Sequence, residues 1–180
     1  SNVLGRFSAA FLEVRGRLRF RNMLFERPGN YRPSDPLIDL SGSKVGKSLF
    51  FGDGSICEGL FQLNESEIMG ATSFSNCLIF NQFGKSLNAN YTHFNGKVSF
   101  RYRSQDNKWK ELARYKTHIR SLKSFETISR IFKELRAIIE ELNTQILKIE
   151  AFSIFIGQVG LRGARFETSL DLKGAIFYGG

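Results

Sequence analysis

Proline, cysteine, histidine and tryptophan are scarce in this chain of 180 residues, at three, two, two and one. Two cysteines cannot make a disulfide scaffold, so reduced thiols in a cytosol-like compartment are the expectation. Two histidines and two cysteines, none at ligand spacing, argue against a zinc site, and no cofactor signature is present. No stretch approaches 18 consecutive apolar residues, which excludes a transmembrane helix. The opening Ser1-Asn2-Val3-Leu4-Gly5 lacks the basic and apolar regions of a signal peptide, so a cytoplasmic location is expected. Catalytic constellations are missing as well: there is no Gly-x-Ser-x-Gly elbow, no Cys–His partnership and no paired-carboxylate context. A non-enzymatic protein is the expectation.

What the chain has in quantity is phenylalanine, 18 residues of it, within a 42% hydrophobic composition too apolar for a disordered chain. The length suits one domain. The net charge of +9 is unevenly spread. Residues 1–36 hold seven Lys/Arg against three Asp/Glu, and 106–155 hold ten against seven, while 37–105 and 156–180 are nearly neutral. A basic balance favours anionic partners in general, whether nucleic acid, anionic lipid or an acidic protein face, and says nothing of fold.

From Pro36 the chain falls into units of about five residues. Each has an apolar centre and a second inward position two residues earlier: Ile38-Asp39-Leu40, Ser43-Lys44-Val45, Leu49-Phe50-Phe51, Gly54-Ser55-Ile56, Phe61-Gln62-Leu63, Ser66-Glu67-Ile68, Thr72-Ser73-Phe74 and Cys77-Leu78-Ile79. After an excursion through Gln82–Ser86 come Leu87-Asn88-Ala89, Thr92-His93-Phe94 and Val98-Ser99-Phe100, and near the end Val159-Gly160-Leu161, Ala164-Arg165-Phe166, Leu170-Asp171-Leu172 and Ala175-Ile176-Phe177. Positions two apart on extended backbone share a side, and the intervening Gly, Ser, Asn and Lys suit turns. A chain that turns every five residues coils into a squared solenoid with four units to a turn, fifteen units giving about four turns. The expected interior ladder is Leu40, Val45, Phe51, Ile56, Leu63, Ile68, Phe74, Ile79, Phe94, Phe100, Leu161, Phe166, Leu172 and Phe177. Small residues before the centres suit a narrow interior, and their alternation with bulky ones implies two faces of unequal depth. Cys77 is expected in the core and Cys57 outside it, which argues against a disulfide between them.

These residues carry a resemblance to the pentapeptide-repeat proteins, whose unit is a small residue, Asp/Asn, Leu/Phe and two loose positions. Leu170-Asp171-Leu172-Lys173-Gly174 with Ala175-Ile176-Phe177-Tyr178-Gly179 matches best, then Ile38-Asp39-Leu40-Ser41-Gly42. The resemblance covers about half the chain. The second-position Asp/Asn occurs at Asp39, Asn88 and Asp171, and several pre-centre residues are bulky, so a coil less regular than the family type is expected. It implies a mainly β fold, a right-handed quadrilateral parallel β-helix, interrupted here by a helical insertion. Some members of the family mimic duplex DNA to inhibit topoisomerases. That role needs an acidic surface, which +9 opposes.

The insertion has its own period. Leu122, Phe125, Ile128, Ile131, Phe132, Leu135, Ile138, Ile139, Leu142, Ile146 and Ile149 recur every three or four residues, an amphipathic helix or, with a break at Asn143-Thr144, a helical hairpin. Its polar stripe pairs Glu126 with Arg130, Arg130 with Glu134 and Arg136 with Glu140. The expected organisation is therefore a basic N-terminal arm or cap over 1–36, solenoid turns over 37–105, a basic linker and helical insertion over 106–155, and further turns over 156–180, in one folded domain.

Three segments invite a sharper chemistry. Ser41-Gly42-Ser43-Lys44-Val45-Gly46-Lys47-Ser48 ends like a phosphate-binding loop, but the first glycine is Ser41 and the following Leu49–Gly54 is glycine-broken rather than helical. Arg15, Arg17, Arg19 and Arg21 would share one face of a strand, an arginine comb suited to phosphates, or an edge strand whose charges face water; the second reading is favoured. Arg101, Arg103, Lys108, Trp109 and Lys110 interleave basic and aromatic residues as single-strand nucleic-acid binders do, and equally as a solvated connection does.

The function expected is a scaffold that binds another macromolecule, most readily a protein, through outward middle positions such as Asp39, Lys44, Phe50, Ser55, Gln62, Glu67, Ser73 and Asn88. The alternative is binding of nucleic acid or an anionic membrane through the arginines and the 101–116 segment. Because the chain stops directly after a well-formed unit, a fragment of a longer repeat protein is the first expectation and an end-to-end homodimer the second.

Overall fold

In the computed structural model of this chain the residues described are 2–100, 153–173 and 175–179, with Glu126 and Arg130. Short strands follow one another around four sides, here called A to D. The first turn is β1 (Asn2–Leu4), β2 (Phe7–Ser8), β3 (Glu13–Val14) and β4 (Leu18–Arg21). The second is β5 (Leu24–Glu26), β6 (Pro36–Asp39), β7 (Lys44–Val45) and β8 (Leu49–Gly52), and the third β9 (Ile56–Cys57), β10 (Leu60–Gln62), β11 (Glu67–Ile68) and β12 (Thr72–Ser75). In the fourth turn β13 (Leu78–Asn88) spans sides A and B, followed by β14 (His93–Phe94) and β15 (Val98–Ser99). The last comprises β16 (Ser153–Gly160), again across A and B, β17 (Arg165–Phe166), β18 (Leu170–Asp171) and β19 (Ala175–Tyr178), which returns to side A.

Every pairing between these strands is parallel and joins a strand to its counterpart one turn away, as Phe51 pairs with Phe20 before it and Phe74 after it. Sides C and D are five-stranded sheets, β3-β7-β11-β14-β17 and β4-β8-β12-β15-β18, and the two long strands fuse sides A and B into one sheet. The result is a parallel β-solenoid.

Each corner has its own chemistry. At B/C the backbone turns through a left-handed residue: Phe11, Gly42, Glu65, Tyr91 and Gly163 have φ between 56° and 66°. Asn22, Asp53 and Asn76 do the same at D/A, residue types that tolerate this region. At C/D successive backbones approach too closely for side chains; a Cβ on Gly46 would lie 2.8 Å from the Arg15 carbonyl, and one on Gly70 would collide with the Lys47 carbonyl. Corner A/B holds the excursions 27–35 and 81–86, tied together where the Asn81 amide donates to the Pro33 carbonyl at 2.8 Å.

The small pre-centre residues also bond the turns together. Ser66 Oγ donates to the Leu40 carbonyl at 2.7 Å and Thr92 Oγ1 to Leu63 at 2.6 Å, both one turn away. Ser55 Oγ reaches Phe20 at 3.1 Å and Ser153 Oγ reaches Phe74 at 2.8 Å. These hydroxyls serve sides A and C, while Leu49, Phe61 and Leu87 supply bulk on B and D. That division gives the alternation in the sequence its physical meaning.

The phenylalanines fill the axis. Phe74 stacks on Phe100 at 5.3 Å and Phe94 on Phe166 at 5.2 Å, while Phe61 meets Phe51 and Phe74 edge-on at 5.1 and 5.4 Å. Leu40, Val45, Phe51, Leu63, Ile68, Phe74, Ile79, Phe94 and Phe100 are all buried in one cluster.

Four expectations need correction. Residues 1–36 are not an arm or cap: β1–β5 lie in register with the turns that follow. The unit read as Gly54-Ser55-Ile56 is Ser55-Ile56-Cys57, one residue later. Cys57 therefore lines the core beside Phe25 and Ile79, while Ile56 points to the other side of its strand. Ser55, expected outside, is buried at a corner. Leu161 and Phe166 are only partly buried, and Leu172 and Phe177 are 46% and 44% exposed, because the last turn has a neighbour on one side only among the described residues. The expected helix over 122–149 and its hairpin break lie outside the described residues, apart from Glu126 and Arg130.

Candidate interaction surfaces

Side C presents a straight outward column, one residue per turn: Glu13, Lys44, Glu67, His93 and Arg165 occupy matched positions on five adjacent strands. Their neighbours Val14, Val45, Ile68, Phe94 and Phe166 point into the core, so alternation along two-residue strands forces the charged partner outward. Charges of opposite sign occupy directly paired positions from Glu13 to Glu67, an order that avoids like charges on adjacent strands. His93 Nε2 lies 2.8 Å from Glu167 Oε1, which joins the fourth and fifth turns on the surface.

Side D carries Arg19, Phe50, Ser73, Ser99 and Asp171 in the corresponding column. The expected comb is split here. Arg19 and Arg21 project from β4, the outermost strand of its sheet, whereas Arg15 and Arg17 sit in the turn before it; all four are exposed. Arg21 is already engaged, with Nε 3.2 Å from Asp53 and its guanidinium 5.2 Å from the Phe50 ring centre. Lys97 approaches Asp171 at 3.4 Å on the same side.

On side B the column is Ser8, Asp39, Gln62, Asn88 and Gly160. Asp39 is almost fully covered. Its Oδ1 accepts from the Ser41 hydroxyl at 2.6 Å and the Ser41 amide at 3.1 Å, and its Oδ2 lies 3.2 Å from Arg6. Burial alone would push this carboxyl up, but the Ser41 bonds and the Arg6 guanidinium outweigh it and hold it below the usual aspartate range. Side A differs from the others, for its outward column is aliphatic and covered.

The reactive side chains are passive. Cys57 and Cys77 are free and buried, and burial pushes both thiols well above the usual value. The Tyr31 hydroxyl accepts the Leu60 amide at 2.8 Å and is pushed up to about 12 by burial. The glycine-rich 41–48 segment runs through a corner and β7, and its Ser43 hydroxyl donates to the Ala9 carbonyl at 3.1 Å. Arg101, Arg103, Lys108, Trp109 and Lys110 lie outside the described residues. Among the described residues no three His, Cys, Asp or Glu are grouped to hold a metal ion, and no helix is long and apolar enough to cross a membrane.

The surface sites missed in the first turn carry the same signature as later ones. Phe7-Ser8-Ala9, Leu12-Glu13-Val14 and Leu18-Arg19-Phe20 each show an inward–outward–inward triplet. Comparison with protein-family models, with curated proteins and with solved structures finds no match to this chain.

Proposed function

We propose that this chain is a non-enzymatic scaffold that binds a folded protein on the flat outer sides of its coil, with side C as the principal strip. The observation that carries the reading is the in-register column Glu13, Lys44, Glu67, His93 and Arg165, held to the spacing of parallel strands by the buried ladders behind it. A row of mixed charges on a stiff backing suits a macromolecular face better than a small ligand, because a flat surface encloses nothing. The units resemble those of the pentapeptide-repeat family. With that resemblance goes a right-handed, quadrilateral winding; the period over 122–149 is that of a helical insertion, and the two free cysteines suit a reducing, cytosol-like setting.

A second reading has its own observation: Arg15, Arg17, Arg19 and Arg21 are all exposed at one end of the coil, where they could meet phosphate groups of nucleic acid or anionic lipid. Salt separates the two. Capture by the immobilised chain from extract with and without nuclease treatment, at low and high ionic strength, should retain a folded protein partner in every case. Recovery of nucleic acid or lipid alone, lost steeply as salt rises, would replace the scaffold reading by the second.

A further inference from the structure

The outward charges of side C follow a particular order along the coil. From the first turn to the fifth they read Glu13, Lys44, Glu67, His93 and Arg165, one to a strand and in register. Adjacent strands stand roughly 4.8 Å apart, so the column is evenly graduated. A second outward column follows the inward residues. There the third turn carries Met69, 53% exposed, and the second turn carries Gly46, exposed and without a side chain. The Gly46 and Met69 amides donate to the Val14 and Val45 carbonyls, which places the two residues side by side on adjacent turns.

This face can meet its own copy in few ways. With both coils running in the same direction, a two-fold axis along the coil sets every charge against its own kind, Glu13 on Glu13 and Lys44 on Lys44. With the coils antiparallel, the axis crosses side C, and three registers engage four or more strands. An axis through Glu67 puts that carboxylate on itself. One between Glu67 and His93 sets Lys44 against Arg165. An axis between Lys44 and Glu67 leaves no like pair: Lys44 meets the partner's Glu67, Glu67 the partner's Lys44, and Glu13 the partner's His93. The same axis exchanges the second and third turns of the outer column, so Met69 falls over the partner's Gly46, and the partner's Met69 over Gly46. Reciprocal contacts of this kind are what a closed, two-fold dimer requires.

We infer that side C pairs with side C of a second copy, the coils antiparallel and the two-fold axis between Lys44 and Glu67. This rests on the reading of side C as a protein-binding strip and names the partner it fits. The net +9 lies mainly in other segments, so the paired columns bring together no excess of positive charge. Four short strands bury less than the roughly 1,200 Å² of a standard interface, which makes the dimer weak and reversible.

Sedimentation velocity of the full chain from about 10 µM to about 1 mM should show a concentration-dependent monomer–dimer equilibrium. Lys44→Glu and Glu67→Lys, each alone, set like charges across both central contacts and should weaken association at least tenfold. Their inward neighbours Val45 and Ile68 are untouched, and circular dichroism of each variant checks that the fold is kept. An equimolar mixture of the two variants brings opposite charges together at both contacts and should restore the dimer. A native chain that stays monomeric at every concentration would overturn the inference. The scaffold reading would then stand or fall separately, on capture of a different protein by side C. A dimer that both variants retain, as an end-to-end dimer would be, also overturns it, and so does a mixture of two weakened variants that fail to associate.

Discussion

A serine or threonine at a solenoid corner does two jobs at once, filling a space too narrow for leucine and returning a hydroxyl proton to the turn before. Ser66 and Thr92 each bond a carbonyl 26 or 29 residues away in sequence. Asp39 does the reverse, gathering donors from Ser41 and Arg6 around a nearly buried carboxylate. Its folded value lies below the unfolded one, so the stabilisation is complete above the ordinary aspartate value of about 4 and is lost as pH falls through the depressed one. Asp39→Asn should therefore lower the melting temperature at neutral pH and flatten its decline between about pH 5 and pH 2. Thermal melts of the two proteins across that range check this; parallel curves would place the acid sensitivity elsewhere. Glycine at corner C/D makes a steric prediction. Gly70→Ala puts a methyl group against the Lys47 carbonyl and should cost about 1–3 kcal/mol in urea unfolding. The same change at Gly29, where a Cβ meets nothing within 4 Å, should cost far less.

At the scale of the strand, position along the coil decides how much a side chain matters. Phe74 and Leu172 occupy the same inward position on side D, two turns apart, but Phe74 is sealed by Phe51 and Phe100 while Leu172 is 46% exposed. Phe74→Ala should destabilise by about 3–5 kcal/mol and Leu172→Ala by less than about 1, measured by chemical denaturation. Sides B and D were the most legible from sequence, since most strands there show two inward apolar residues around one outward polar one, as in Phe61-Gln62-Leu63. Side A hid its register because both surfaces of its strands are apolar. Where Ile56 and Cys57 could each be inward, alternation carries no signal, and the reading slipped by one. The first turn was obscured differently. Its arginines drew attention to charge, although Leu18, Phe20 and Phe25 follow the same pattern as Leu49, Phe51 and Cys57. The corner bonds of Ser55 and Ser66 could not be read at all, because they join residues brought together only by the winding.

Taken whole, the molecule segregates its charge from its regularity. The net +9 resides mainly in residues 1–36 and 106–155, yet the column on side C alternates in sign from Glu13 to Glu67 and is close to balanced as a whole. The two functional readings thus draw on different residues and can be pulled apart by substitution. Lys44→Glu with Arg165→Glu breaks the side C pattern while leaving the buried Val45 and Phe166 columns in place, so the fold should be retained. It should reduce capture of a protein partner at least tenfold at physiological salt, since like charges set across an interface cost several kcal/mol. Replacing Arg17 and Arg19 by Gln should leave that capture within about twofold, because charges round the corner from a contact act weakly once screened over roughly 8 Å. On the nucleic-acid or lipid reading the order inverts: the arginine variant loses binding and the side C variant keeps it, with a shallower salt slope in the former. Quantitative capture with both variants at two salt concentrations decides between them, and circular dichroism of each variant separates lost contact from lost fold.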